Sequence, residues 1–268
     1  MVDISAVETI IREVADEHIL PLFRNLGRDD VSTKSGPNDL VTIADVNAEN
    51  ALAPRLMDLL PGSVVLGEEG TAKDPSVLDA LAGDAPVWVI DPIDGTRNFV
   101  NGSAEFATMV ALAEKGETRA AWIYPPIDGA CATAEKGSGS FWRGEPMAGR
   151  EGTELGAMQG TYHKNYIPKD WARRIEPNLK RLGKTGPAHC AAYVYLRLSS
   201  GEHDFGVHGK LMPWDHLAGT LMLREAGGEA GFLDADERYA AQVYPERPML
   251  TVSDGARFDV LKQTLVNG

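Results

Sequence analysis

Val87-Trp88-Val89-Ile90-Asp91-Pro92-Ile93-Asp94-Gly95-Thr96 decides how this chain is read. The first four residues are all apolar, which suits a short strand buried on both faces. The run passes straight into two acids that flank Pro92-Ile93. Pro92 fixes its own φ and biases Asp91 towards an extended geometry. The segment can then aim two carboxylates and the Ile93 carbonyl at one point. Hard oxygens that converge in this way suit Mg²⁺, which takes octahedral oxygen ligands. The same spacing also suits an Asx-type turn in which one acid caps the next helix. Gly95-Thr96 can open a helix whose unpaired N–H groups bind phosphate oxygens, and it also reads as a plain turn. The P-loop pattern G-x-x-x-x-G-K-[ST] is absent.

Upstream, Ile4, Val7, Ile11, Val14 and His18 recur at helical spacing and predict a helix over about 3–20, stopped or kinked by Pro21. The polar stretch 28–38, with Gly36-Pro37, reads as a loop. Thr42 and Asp45 fit a capping box. The helix they open carries Ala48, Leu52, Leu56, Leu59 and Leu60 on one face, with a kink expected at Pro54. A strand over 63–66 ends at Gly67-Glu68-Glu69-Gly70, a Gly-flanked turn from which a carboxylate can face a cleft. Downstream, residues 105–145 alternate apolar runs with turns, the pattern of an antiparallel meander. A polar helix is predicted near 169–182, an apolar segment near 188–199, a helix from Pro213-Trp214-Asp215 to Gly227-Gly228, and a last helix near 255–265. The Gly-rich stretch 149–160 is a candidate boundary between halves of about 1–148 and 149–268, inside one domain spanning 1–268. Helices and strands mix without strict alternation, so the class is α+β or layered α/β.

The 268 residues include 26 basic and 39 acidic ones, a net charge of −13. No Lys/Arg cluster stands ready to displace counterions, so nucleic acid and anionic membrane surfaces are disfavoured as partners. An acidic surplus also arises when several carboxylates share a cation. Asp45, Glu68 and Asp215 sit at predicted element ends, where an acid commonly just complements a helix dipole. If these three converge with Asp91 and Asp94, repulsion is severe: two like charges at about 4 Å cost on the order of 4 kcal/mol at an effective dielectric of 20. Only bound cations make such a cluster tolerable. Cys131 and Cys190 form no C-x-x-C motif and read as reduced thiols in a cytoplasmic protein. The first residues carry an acid where a signal peptide has bases, and no apolar run approaches the ~20 residues that span a bilayer.

Four blocks then coincide: Asp39-Leu40-Val41-Thr42-x-x-Asp45; Gly67-Glu68-Glu69; Trp88 to Phe99, with Asp91-Pro92-Ile93-Asp94-Gly95-Thr96 at its centre; and Pro213-Trp214-Asp215-x-x-Ala218-Gly219 with Glu225-Ala226-Gly227-Gly228. In kind and order they resemble the inositol monophosphatase family. The resemblance implies a layered αβαβα sandwich and an Mg²⁺-dependent, lithium-sensitive phosphomonoesterase, commonly a homodimer. By motif position, Glu68, Asp91, Asp94, Asp215 and the Ile93 carbonyl would hold two or three Mg²⁺ ions. Asp45 and Thr96 would position or deprotonate the attacking water, with Glu68 close by, and Gly95 and Thr96 would bind phosphate through backbone N–H groups.

Two positions depart from the family pattern. Inositol-hydrolysing members usually carry a Glu seven positions before the last metal Asp, and His208 stands there. The small Gly-Ser/Thr-Ala segment that usually lines the sugar pocket is His189-Cys190-Ala191. His208 and Lys210 could therefore face a second anionic group, or serve only as surface or packing residues. His216 reads as an ordinary helix residue or a support for Asp215. Tyr193 and Tyr195 read as packing residues. Candidate substrates are small phosphorylated metabolites: inositol phosphate, histidinol phosphate, fructose 1,6-bisphosphate or a nucleotide 3′-phosphate. A rival of another class is a regulatory protein that keeps the fold and works by docking, but such a protein has no physical need for the intact acids and Thr96.

Overall fold

The computed structural model describes residues 2–34, 36, 40–244 and 246–268. In chain order its elements are α1 (Ile4–Val14), β1 (Val31–Thr33), β2 (Leu40–Thr42), α2 (Ile43–Leu59), β3 (Val64–Gly67), α3 (Glu68–Lys73), β4 (Val87–Asp94), α4 (Thr96–Val100), β5 (Ala107–Glu114), β6 (Glu117–Tyr124), β7 (Ala132–Glu135), β8 (Gly139–Trp142), β9 (Glu145–Pro146), β10 (Gln159–Tyr162), α5 (Lys169–Leu179), β11 (Lys184–Gly186), α6 (Ala191–Ser199), β12 (Phe205–His208), α7 (Pro213–Glu225), β13 (Glu229–Phe232), β14 (Met249–Val252) and α8 (Phe258–Asn267).

Strand alternation sorts the core into layers. On β4, Trp88 and Ile90 face one way, with Val110 and Leu112 of β5 and Trp122 of β6, against Val7 and Ile11 of α1 and Leu52 and Leu56 of α2. Val87 and Val89 face the other way, with Met109 and Ala111, against Val194 and Leu198 of α6 and Leu217 and Leu221 of α7. Beyond α6 and α7 lies a second sheet, whose Ala230, Phe232 and Met249 turn inward. Its opposite face, with Phe205, Val207, Leu250 and Val252, packs on Ile175 of α5 and Leu261 and Leu265 of α8. The order is helix, sheet, helix, sheet, helix. The first sheet runs β3-β4-β5-β6-β7-β8-β9 and the second β11-β10-β12-β14-β13. Both are mixed: β3 pairs parallel with β4 and antiparallel pairs follow, as the meander predicts.

Several boundaries differ from the sequence reading. The first α-helix stops at Val14, and a π-helical turn (Ala15–Ile19) and a 3₁₀ turn (Leu20–Leu22) follow. Pro21, lacking an N–H, sits inside that last turn. The stretch read as a loop holds a 3₁₀ turn (Arg28–Asp30) and β1, which pairs antiparallel with β2. Pro37, Asn38 and Asp39, at the end of that stretch and the start of the first motif block, lie outside the described residues. Leu59 is exposed rather than core. Residues 75–82 form a 3₁₀ helix, and the apolar segment near 188–199 becomes helical at Ala191.

The last helix boundary of the motif blocks is well defined. Gly227 N–H donates to the Arg224 carbonyl and Gly228 N–H to the Leu223 carbonyl, the paired bonds of a Schellman stop. Glu225 turns outward and accepts from Gly137 and Gly139 N–H, tying the helix end to the β7–β8 turn. This block is therefore structural, whereas the Asp215 end of the same helix faces the cavity described next.

Candidate active site

The strand read as ending at Ile90 continues to Asp94, and every residue of it is buried. Its register with β5 shifts: Asp91 pairs Met109 and Asp94 pairs Ala107. Pro92 and Ile93 thus face the single residue Thr108, a β-bulge. Residues three apart normally point to opposite faces of a strand. The extra residue brings Asp91 and Asp94 to the same side, the side that carries α6 and α7. Thr108 Oγ1 donates to the Pro92 carbonyl at 2.8 Å, and Ile93 N–H donates to Asp91 Oδ1 at 3.1 Å, which fixes the bulge.

Asp215 reaches the same point from the first turn of α7. One carboxylate oxygen each from Asp91, Asp94 and Asp215 lies within 4.8 Å of the others. Burial is the main cause that raises the pKa of all three, and neighbouring acids add to it. Asp91 is pushed well above the carboxylate range by burial and by Glu68, Asp94 and Asp215. Asp215 is pushed up to about 8 by burial, Lys210 pulling the other way and Asp94 and Glu68 adding to the rise. Asp94 rises less steeply: Cys190 Sγ donates to its Oδ2 at 2.9 Å and Ala192 N–H donates at 2.6 Å. Without a cation the cluster is an electrostatic liability. With one, its all-oxygen donor set suits Mg²⁺.

Glu68 lines the same cavity, outside the group of three. It opens α3 rather than ending a turn. Two contacts that sequence reasoning missed hold it there. Glu49 of α2 accepts from Glu69 N–H at 2.8 Å and Gly70 N–H at 2.7 Å, pinning the start of α3. Lys34, just after β1, donates to Glu68 at 2.7 Å and to Glu69 at 2.5 Å. Gly67 makes the first contact possible: a Cβ on it would lie 2.2 Å from Glu49 Cδ. A signal for Glu49 exists in the sequence. Asp45, Glu49, Leu52 and Leu56 form one helical stripe, all buried in the structure, and acids on such a stripe need a purpose.

The Thr42–Asp45 capping box forms as expected. Thr42 N–H and Oγ1 donate to Asp45 Oδ2 at 2.8 and 2.6 Å. The other oxygen, Oδ1, lies 3.3 Å from Thr96 Oγ1, which is also 3.1 Å from the Ile93 carbonyl. The hydroxyl has one proton for two acceptors, so a lone pair remains for a water. Burial pushes Asp45 up to about 6, partly offset by the Thr42 bonds. Thr96 opens α4, and Gly95 before it has φ 85°, a left-handed geometry that favours glycine.

The cavity, ≈600 Å³, is lined by Glu68, Asp91, Ile93, Asp94, Gly95, Thr96, His189, Cys190, Ala191, His208, Lys210 and Asp215 among others. Every predicted site residue is therefore on it except Asp45, which stands behind Thr96. Cys190 has a different part from the one its position suggests: its thiol, kept protonated by burial and by Asp94, is a donor to a clustered acid. For His208 the contacts fit the packing alternative. Its ring stacks on Tyr195 at 5.8 Å, its Nε2 lies 3.1 Å from Thr251 Oγ1, and burial with His216 alongside holds its pKa well down. It packs at the cavity wall, where burial disfavours its charged form. His216 is more than an ordinary helix residue. Lys210 O can only accept, so His216 Nε2 donates to it at 2.8 Å, and Nδ1 accepts from Tyr195 Oη at 2.8 Å. Tyr195 and His216 thereby fix the backbone of Lys210.

Comparison with known proteins gives a family match and fold likenesses. A family model described as the inositol monophosphatase family matches residues 2–265. The chain is 32% identical over 203 residues to an inositol-1-monophosphatase of Bacillus subtilis (strain 168), covering 74% of each chain. It is 33% identical to a fructose-1,6-bisphosphatase/inositol-1-monophosphatase of Thermotoga maritima, covering 75% of this chain and 74% of that one. Among solved structures, an inositol monophosphatase from Zymomonas mobilis superposes with a TM-score of 0.79 at 24% identity, covering 97% of this chain and 96% of that one, a likeness of fold.

Proposed function

The chain belongs to the inositol monophosphatase family, a family of phosphatases, and from that premise we propose that it hydrolyses a small phosphate monoester with Mg²⁺. The observation that carries this reading is the meeting of Asp91, Asp94 and Asp215 within 4.8 Å, beside a Thr96–Asp45 pair. Asp91, Asp94, Asp215, Glu68 and the Ile93 carbonyl would hold two or three ions. When bound, magnesium supplies Lewis acidity that lowers the pKa of water and offsets charge on phosphoryl and leaving-group oxygens.

The chain's own groups do the rest. Thr96 Oγ1 accepts from the attacking water and passes its proton to Asp45. A carboxylate held near pH 6 suits a general base at neutral pH. The N–H groups of Gly95 and Thr96, at the start of α4, orient the phosphate oxygens. Cys190 and Ala192 keep Asp94 aimed at the cluster, and Glu49 keeps α3, and so Glu68, in place. Glu68 acts beside Thr96 in orienting the water. Lithium inhibition, a homodimer and a cytoplasmic location belong to the same reading. Family membership supports them, and the two buried, unbridged cysteines fit a reducing compartment. No helix among the described residues is long and apolar enough to cross a membrane.

The test is release of inorganic phosphate from a panel of phosphorylated alcohols, with and without Mg²⁺ and with added Li⁺. Mg²⁺-dependent release supports the reading. No release from any compound, in protein shown to be folded, favours the docking role instead.

A further inference from the structure

Val207, His208, Gly209 and Lys210 form one continuous stretch of the cavity lining. It runs from the end of β12 towards α7, on a different segment from Gly95 and Thr96. Residues 209–212 are neither strand nor helix, and backbone of that kind needs other partners for its polar groups.

One such partner lies behind the wall. His216 Nε2 donates to the Lys210 carbonyl at 2.8 Å, and Tyr195 Oη donates to His216 Nδ1 at 2.8 Å. Both side chains are buried, His216 at 2% exposure and Tyr195 at 0%. Tyr195 stands on α6 and His216 on α7, so the bonds cross from one helix to the other and out to the wall. Gly219, one turn after His216, leaves the space that the Tyr195 ring fills, and a Cβ there would collide with the ring. The same ring stacks on His208 at 5.8 Å and 4°. Tyr195 thus supports the wall at His208 by stacking and at Lys210 through His216.

A neutral imidazole carries one N–H, and the partner of the other nitrogen decides which. The Tyr195 hydroxyl occupies Nδ1 as an acceptor, so the proton stays on Nε2, where the carbonyl accepts it. Without that hydroxyl a buried acceptor is left unpaired. Buried hydrogen-bond networks, when satisfied, rigidify what they touch.

We propose that Tyr195 and His216 are positioning residues for the 207–210 wall, and that this wall sets how well the alcohol part of the substrate binds. The proposal rests on the phosphatase reading, in which Gly95 and Thr96 take the phosphate and leave the rest of the substrate to other parts of the cavity. Both residues act through His208 and Lys210, and neither takes part in breaking the P–O bond.

The experiment measures kcat, KM and inhibition by inorganic phosphate on the full chain with Mg²⁺, using inositol 1-phosphate, histidinol phosphate, fructose 1,6-bisphosphate and 3′-AMP. For the compound with the highest kcat/KM, Tyr195→Phe should raise KM about fivefold or more, with kcat and the phosphate inhibition constant each within about twofold of the parent. His216→Leu should behave alike. His216→Gln keeps an N–H donor near the place of Nε2 and should return KM to within about twofold of the parent. An unchanged KM in both Tyr195→Phe and His216→Leu overturns the proposal. So does a phosphate inhibition constant that rises as much as KM, and so does a KM for His216→Gln as high as for His216→Leu.

A second measurement needs no turnover. Lys210 is a trypsin site within the wall, and Lys136, exposed in the β7–β8 turn, is the control. Cleavage after Lys210, read by mass spectrometry, should be about tenfold faster in Tyr195→Phe than in the parent, with cleavage after Lys136 unchanged. Equal cleavage after Lys210 overturns the proposal, and acceleration at both sites alike does so too, as a loss of overall stability. Faster cleavage confined to Lys210, with no phosphate release from any of the four compounds, strikes the phosphatase reading and leaves the hold on the wall standing.

Discussion

The thiol of Cys190 donates to Asp94 Oδ2 across 2.9 Å, linking the residue before α6 to the end of β4. Ala192 N–H donates to the same oxygen at 2.6 Å. Removing the thiol should loosen Asp94. Cys190→Ala is expected to weaken apparent Mg²⁺ affinity about tenfold, the low end of effects seen when partners of metal ligands are removed. Cys190→Ser keeps a donor and should stay near the parent. Mg²⁺ titration of activity checks both, and equal midpoints for Ala and Ser would show the bond to be incidental.

Gly67 is the second sensitive point. A methyl group there meets the Glu49 carboxylate at 2.2–2.5 Å, so either α3 or Glu49 must move. Gly67→Ala should cost roughly 1–3 kcal/mol of stability, as overpacking does, and reduce activity through a displaced Glu68. Urea unfolding reads the first effect and phosphate release the second.

The Thr96–Asp45 pair predicts a large catalytic effect without a large structural one. Asp45→Asn keeps its size and can still accept from Thr42, yet it cannot take a proton. Turnover should fall by about 10²- to 10⁴-fold, the range for a lost general base. The near-ultraviolet circular dichroism of the variant should match the parent.

Asp91→Asn should abolish Mg²⁺-dependent turnover while leaving the metal-free protein as stable or more so, because it removes one charge from a crowded buried set. Thermal unfolding in EDTA decides. A marked fall in Tm would assign Asp91 a structural role instead.

Stability of the metal-free protein should rise as pH falls from about 8.5 to 6.5. Asp215 at about 8 and Glu69 at about 7 both lie above their ordinary values, mainly through burial. Such acids bind protons more tightly folded than unfolded, so protonation favours the native state. Below pH 6.5 the trend should weaken, because His208 and His216 are held low by burial and the unfolded chain takes up protons there first. Asp215→Asn should flatten the slope between 8.5 and 6.5. A Tm in EDTA that falls over that window contradicts the assignment.

Much of this site is legible in the linear chain because its parts announce themselves locally. The apolar run before Asp91, the Thr42–Asp45 box and the proline opening α7 each have a short-range cause. The resemblance to a family then joined segments that spacing alone left apart. What stayed hidden depends on the third dimension. Lys34 meets Glu68 across 34 positions, Cys190 meets Asp94 across 96, and nothing near either residue hints at its partner. The packing of His208 follows from Tyr195 and His216 around it, not from its own neighbours in sequence. The end of α1 was misplaced for a smaller reason: helical spacing continues through Ala15–Ile19, while the hydrogen bonding widens to a π turn.

The bulge in β4 places a main-chain atom where side-chain replacement cannot reach it. Ile93 lines the cavity, and its main-chain oxygen lies 3.1 Å from Thr96 Oγ1. No replacement of a side chain deletes that oxygen, so a saturation scan of position 93 would report packing and leave its proposed part as a metal ligand untested. Backbone chemistry is needed to see it, such as an ester in place of the amide that follows, which weakens that carbonyl as an acceptor while every side chain stays as it was.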